Sequence, residues 1–212
     1  LIDYDTNSTC WEAYQTLFAN LRVNWESHLA HTLLMTTATT SPEHRLVAAN
    51  LAITAANSNM STILVDADLH APLLQQRFST PQGAGLSDLL RESSVISPKV
   101  ASCLEPTFMK NLRLLSAGTQ LSEGSALLLS NRLAEIVASL KELVVMNGQP
   151  GLVVFHTPAV LAGADASVVS SLMDQTVLGI VSGQTTRKQA KAAQEQLRRS
   201  HADLSGIVML NR

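Results

Sequence analysis

Apolar positions along this chain follow two rhythms that alternate from one end to the other. Short, nearly unbroken apolar runs fall at 33–35, 62–65, 112–115, 152–155, 176–181 and 206–210. Between them, apolar residues recur at three- and four-residue spacing, the mark of a helix with one buried face. Over 11–23 these are Tyr14, Leu17, Phe18 and Leu21; over 130–144 they are Leu133, Ile136, Val137 and Leu140. The segment 47–57 (VAANLAITAAN) predicts an alanine-rich helix, whose small side chains let it lie close to a sheet. Shorter helices are expected at 85–91, with Ser87 as candidate cap, and at 167–173. A strongly polar helix is expected at 186–200. Strands that read as apolar runs are buried on both faces, as in parallel sheets. The pattern predicts an α/β fold: a mostly parallel central β-sheet flanked by helices on both faces. No linker, repeat or low-complexity segment divides it, so 1–212 is expected to be a single domain.

Composition narrows the class. The chain has 212 residues, 46% hydrophobic and 15% charged, which suits an enclosed core and argues against disorder. A net charge of −2 supplies no basic field for nucleic acid. Cys10 and Cys103 form neither a metal spacing nor a disulfide framework, and suggest a reduced compartment. No apolar run approaches the roughly 20 residues that span a bilayer. Because the sequence opens at Leu1 rather than Met, a cytoplasmic fragment of a longer chain is expected.

In a parallel sheet, ligands bind beyond the carboxyl ends of the strands. Three such ends carry polar residues: 39–45, 66–70 and 156–158. The first, between an apolar run and a small-residue helix, has the layout of a phosphate-binding loop without its chemistry. Such a loop needs glycines to curl N–H groups around phosphate, a lysine for the outer phosphates and a Ser or Thr for magnesium. Here the turn is Thr40-Ser41-Pro42-Glu43-His44-Arg45-Leu46. It has no glycine and no lysine, it carries a carboxylate, and Pro42 removes an N–H donor.

These strand ends and the first helix resemble the bacterial tyrosine kinases of capsule and exopolysaccharide synthesis. Those are cytoplasmic domains of the polysaccharide co-polymerase type, within the deviant-Walker P-loop group that includes the MinD and ParA ATPases. WEAYQTLFANLR resembles the family's E-A-[YF]-R-T-L-R-T-N-[LI]-R helix, and LLMTTATTSPEHRLVAANLA its phosphate-loop segment. ILVDADLHAPLLQQRF, GLSDLLRE, LVVFHTPAVLAGADA and GIVMLNR resemble the later family motifs in the same order and spacing. The resemblance covers nearly the whole chain and implies a P-loop NTPase fold.

It also locates the departures. The family's loop glycines fall on Ser41 and Glu43, its lysine on His44, its magnesium-binding hydroxyl on Arg45 and the next Thr on Leu46. The second Walker aspartate falls on His156, whose imidazole is a poor partner for a hard cation. Asp66 and Asp68 stand at the family's additional acidic motif, where the resemblance implies magnesium binding and activation of the attacking hydroxyl. Asn211 matches the asparagine that reads adenine. In the first helix Glu12 is kept, but two arginines that pair across subunits fall on Gln15 and Phe18. No tyrosine-rich stretch lies within this sequence, whose only tyrosines are Tyr4 and Tyr14.

Each feature has a plainer reading beside the sharper one. Asp66 is either a magnesium relic or a structural acceptor at the head of its loop. His44 and His156, with His70, are either metal ligands or unrelated histidines. Arg45 could hold an anion at a helix N-terminus, whereas Glu43 in the same place would replace phosphate internally, the preferred alternative. The basic run Arg187, Lys188, Lys191, Arg198, Arg199 is either a solvated helix face or faces an acidic membrane.

The expected function is that of a degenerate tyrosine-kinase-like domain of exopolysaccharide chain-length control, acting through protein contacts without ATP. No cofactor is expected. ATP and Mg belong to the alternative, an active kinase or ATPase with an atypical loop; a MinD/ParA-type positioning ATPase is a weaker alternative. The expected partner is a membrane-embedded polysaccharide co-polymerase or chain-length protein, not nucleic acid. The isolated domain is expected to be a monomer or dimer, cytoplasmic, at the inner face of the plasma membrane through that partner or a segment outside this sequence.

Overall fold

The computed structural model describes residues 9–23, 25, 29–41, 46–92, 97–120 and 124–211. Pro42, Glu43, His44, Arg45 and Tyr4 lie outside them. Seven strands form one sheet in the order β3-β4-β2-β5-β1-β6-β7. They are β1 (Ala30–Thr37), β2 (Ser61–Asp66), β3 (Leu104–Pro106), β4 (Leu112–Leu115), β5 (Gly151–His156), β6 (Gln175–Val181) and β7 (Leu204–Leu210). Every pairing is parallel except β3 with β4. The short antiparallel β3 at one edge was not anticipated from the apolar runs; only Leu104 of its three residues is buried.

The sheet is sandwiched as its uninterrupted apolar runs require. Along β1, Leu33 and Met35 enter one core while Leu34 enters the other, the two-residue period of a strand covered on both sides. The first core is closed by α1 (Thr9–Val23) and α2 (Val47–Asn57). In α2, Ala48, Ala49, Ala52, Ala55 and Ala56 are all buried, so the helix backbone lies near the strands. The second core is closed by α4 (Leu86–Arg91), α5 (Ser97–Ser102), α6 (Gly124–Leu128), α7 (Arg132–Val144) and α8 (Asp165–Ser170). The apolar stripe of α7 runs through Leu133, Ile136, Val137 and Leu140, as its spacing predicts. A smaller cluster under α9 (Arg187–Arg199) joins Ala193 and Leu197 to Ala38 and Leu178. The short α3 (Leu74–Phe78) follows β2.

Two local expectations change. Strand β7 is an edge, and its residues alternate between partly buried and exposed, leaving Ile207 and Met209 on solvent. Ser87 does not cap α4. Gly85 is the N-cap, the Asp88 carboxylate accepts its N–H at 2.9 Å, and the buried Ser87 hydroxyl donates to the Thr119 carbonyl. A Cβ on Gly85 would lie 2.3 Å from the Ser116 carbonyl oxygen, so only glycine lets α4 dock on the end of β4. Leu86 N–H and Ser87 N–H then bond the Ser116 and Ala117 carbonyls. Asp88 also accepts from the Thr119 N–H and hydroxyl; burial opposes its charge, but these donors hold its carboxyl below the usual carboxylate range. The GLSD motif is thus a docking device for one helix. At the other end of the chain, Thr186 and Gln189 form the capping box that starts α9.

Candidate functional site

Because β5 runs between β2 and β1, the ends of these three strands meet side by side. Met35 of β1 and Asp66 of β2 both stand opposite His156 of β5. Beyond them opens a cavity of about 500 Å³, lined in part by Thr40, Ser41, Asp68, His70, His156 and Asp165. This is the location expected for a ligand in a parallel sheet.

The cavity rim is built from short loops that are each pinned. After β1, the Thr36 hydroxyl donates to the Pro158 carbonyl, and Thr39 and Thr185 share a hydroxyl contact of 3.0 Å. After β5, the Gln196 amide of α9 donates to the carbonyls of Val160 and Gly163 and meets the Ser167 hydroxyl. After β2, the loop folds around Asp66. This carboxylate is fully buried and accepts three backbone N–H groups, from Asp68 at 3.2 Å, Leu73 at 3.1 Å and Leu74 at 3.0 Å. Burial pushes its carboxyl above the ordinary range, while His156 and those three donors pull the other way. Asp68, two residues further, accepts the Ala71 N–H at 2.9 Å and lines the cavity.

Among the residues singled out from sequence, Thr40, Ser41, Asp68, His70 and His156 come together at this cavity. Asp66 does not line it: the carboxylate is committed to its own loop, the plainer of the two readings. Leu46 packs against the first core, and Asn211 follows β7 without lining the cavity. Glu43, His44 and Arg45 lie outside the described residues. His70 uses Nε2 for both the Ser125 hydroxyl at 3.1 Å and the Asp165 carboxylate at 3.5 Å. Both contacts fall on one ring nitrogen, whereas a relay needs a different partner on each. No group of three His, Cys, Asp or Glu side chains suited to a metal occurs among the described residues.

On α1, Glu12 and Gln15 are exposed, while Phe18 is buried with Leu21 and packs edge-on to Trp25. Tyr14 is held by Asn50 of α2, and burial raises its hydroxyl pKa to about 12. The basic residues Arg187, Lys188, Lys191, Arg198 and Arg199 are exposed on α9, opposite the buried Ala193 and Leu197. No described helix is long and apolar enough to cross a membrane.

Sequence reading missed Asp165 and took in Thr157 only as part of the strand end 156–158. Asp165 stands near the end of LVVFHTPAVLAGADA, a stretch quoted for its resemblance but not read for a site at that position. Both are buried at the cavity, and among the described residues the Asp165 Oδ1 and Thr157 Oγ1 atoms have no hydrogen-bond partner.

No protein-family model matches the chain. It is similar to the tyrosine-protein kinase YwqD of Bacillus subtilis, 29% identical over 198 residues that span 93% of this chain and 79% of YwqD. It is also similar to the putative tyrosine-protein kinase CapB of Staphylococcus aureus, 24% identical over 202 residues, 95% of this chain and 84% of CapB. The kinase domain of Escherichia coli tyrosine kinase ETK superposes with a TM-score of 0.86 at 20% identity, over 98% of this chain and 78% of that one. The septum site-determining protein MinD from Pyrococcus horikoshii, complexed with Mg-ADP, superposes with a TM-score of 0.66 at 16% identity, over 85% and 70% of the two chains. The fold is therefore that of the MinD- and ParA-like P-loop ATPases. In sequence the chain is similar to bacterial tyrosine-protein kinases, as its motifs suggest.

Asp66→Ala leaves three N–H groups without an acceptor, each unsatisfied group costing about 1–3 kcal/mol if it stays buried. Urea unfolding is expected to show a loss of at least ~2 kcal/mol. The carboxyl has a raised folded-state pKa, so its contribution is complete below the unfolded value near ~3.9 and is lost as pH rises through the folded value. The deficit of Asp66→Ala should therefore be largest in acid and narrow toward neutral pH. A loss below ~0.5 kcal/mol at every pH would remove the structural role of this carboxylate.

Proposed function

We propose that this is a tyrosine-kinase-like domain of exopolysaccharide or capsule synthesis that has given up ATP–magnesium chemistry and acts through protein contacts. The observation that carries the reading is the loop 40–46, TSPEHRL, which contains no glycine and no lysine. Three further features support it. The second Walker position is His156 rather than a carboxylate. Pro42 and Glu43 subtract an N–H donor and add a negative charge where phosphate would sit. Glu43 would serve as the internal substitute for phosphate. Asp66, which would otherwise serve magnesium, spends its lone pairs on backbone N–H groups.

A second reading, an active kinase or ATPase with an atypical loop using ATP and Mg, is favoured by the retention of both Asp66 and Asp68. It is the less favoured because a magnesium ion needs about six oxygen ligands in octahedral geometry, and the hydroxyl and second-strand carboxylate are replaced by Arg45 and His156. The proposed partner is a membrane-embedded polysaccharide co-polymerase or chain-length protein, carried on the same chain or a separate one. This would hold the domain at the cytoplasmic face of the plasma membrane.

Isothermal titration of the purified domain with ATP–Mg separates the two readings. No binding is expected at millimolar nucleotide. A dissociation constant below ~100 μM, about −5.5 kcal/mol, would overturn the proposal. Assembly gives a second check. Gln15 and Phe18 cannot supply the bidentate, charge-assisted pairs of arginine, and Phe18 is spent on the core. Light scattering is expected to show a monomer or dimer of the 22.7 kDa chain, and a larger ring would contradict this.

A further inference from the structure

We propose that the outer face of α9 is a docking surface for an anionic membrane, a bilayer whose phosphate-bearing lipids give it a net negative charge. The helix holds Arg187, Lys188, Lys191, Arg198 and Arg199 against one acid, Glu195. These are five of the 15 Lys and Arg of the chain and one of its 17 Asp and Glu, so α9 carries +4 and the rest of the chain −6. At about 100° per residue, the five cations fall within an arc of about 120°. That arc lies opposite the buried Ala193 and Leu197, and all five side chains are exposed. From its first cation to its last the ridge runs about 18 Å. None of the five lines the strand-end cavity.

A face that is merely solvated mixes its signs, as the other long helices do. On α7, Arg132 and Lys141 accompany Glu135 and Glu142, and on α1 Arg22 accompanies Glu12. On α9 the signs separate, against the helix's own stability. Arg187 and Lys188 occupy its first turn, which holds no acid, and there the positive end of the helix dipole repels them. Arg187 and Lys191 stand four apart, a like-charge spacing that weakens a helix. Glu195 reaches Lys191 at 4.0 Å, both exposed, a contact that water leaves weak. Local rules broken with no return inside the chain mark a face that serves something outside it. Lipid suits that face better than protein does. A protein interface needs a core depleted of charge, lysine above all, and this ridge is convex and charged along its length. A bilayer requires only the field. Its negative surface attracts each Lys or Arg near it, and salt confines that attraction to about 8 Å, so the acidic remainder of the chain is screened. Ile207 and Met209 stand exposed on the same side of the sheet, paired with Leu178 and Ile180, and Leu178 packs under α9. Two such side chains are too few for a protein interface but supply the apolar contact that interfacial binding adds to charge. The setting is the membrane-face placement proposed above, to which this adds a direct lipid contact.

Flotation of the intact domain with lipid vesicles tests this. Vesicles of phosphatidylcholine with ~30% phosphatidylglycerol are expected to carry the domain at ~50 mM salt and to release most of it at ~300 mM. Pure phosphatidylcholine should carry none. The triple variant Lys188→Gln, Lys191→Gln, Arg198→Gln replaces exposed cations by a residue of similar helix propensity, so the helix is kept. Its partition onto the anionic vesicles should fall ~100-fold, three charges at about 1 kcal/mol each. Removing three exposed cations elsewhere, in Arg77→Gln, Arg91→Gln, Lys110→Gln, should change it less than ~3-fold. Soluble polyglutamate at equal negative charge is the competitor, and the domain is expected to stay on the vesicles. Absence of binding to the anionic vesicles, or equal losses in the two triple variants, overturns the proposal. Release by polyglutamate overturns it too and assigns the ridge to an acidic protein. None of these failures touches the loss of ATP–Mg, which nucleotide titration reads separately, or a placement at the membrane through the partner.

Discussion

Burial of the central strands on both faces is the constraint from which the rest of this structure follows. A strand covered on two sides can be neither slipped nor flipped, because each one-residue shift exchanges the residues of the two cores. Leu33, Leu34 and Met35 illustrate this, entering opposite cores in turn. With register so fixed, the ends of β1, β5 and β2 must coincide, and whatever residues follow them are brought together. Met35, His156 and Asp66 stand in one row for this reason and not because they attract one another. The two cores that fix the register lie beneath these strand ends and do not include His156, Asp66 or Asp68.

Asp66 shows how a strand-end residue can be retained on grounds of folding alone. The carboxylate is buried, which disfavours its charge, yet three backbone N–H groups converge on it and shape the loop that leads into α3. Such a residue satisfies a family motif without serving the chemistry of the motif. Asp165 is the opposite case. Among the described residues its Oδ1 has no hydrogen-bond partner. The contrast is between a carboxylate whose oxygens both serve its own loop and one with an oxygen that the described residues leave over.

Much of this was legible in the sequence because it depends on period. The apolar runs at 112–115 and 152–155, the alanine-rich 47–57 and the stripe of 130–144 each match an element within two residues. What escaped depends on contacts between distant segments. The run at 206–210 reads like a buried strand, but its position at the sheet edge exposes Ile207 and Met209. Ser87 has the chemistry of a cap, yet the close approach of Gly85 to Ser116 hands that role to the glycine. The short β3, with one buried residue of three, has too little periodicity to announce itself. At the cavity, Asp68, His70 and His156 were visible as polar strand ends, whereas Asp165 lies beyond a 3-10 turn at Val160–Ala162 and reaches the same space only through the fold.

The central claim is that a nucleotide-binding scaffold has been kept and its site exchanged. Rebuilding the site tests this most directly. A variant combining Ser41→Gly, Glu43→Gly, His44→Lys, Arg45→Ser, Leu46→Thr and His156→Asp should be compared with the native chain and with His44→Lys alone, by titration with ATP–Mg. The expected result is binding by the sixfold variant only, because Glu43 and Arg45 defeat the single lysine. Equal binding by the native chain, or ATP hydrolysis by His44→Lys alone, would contradict it.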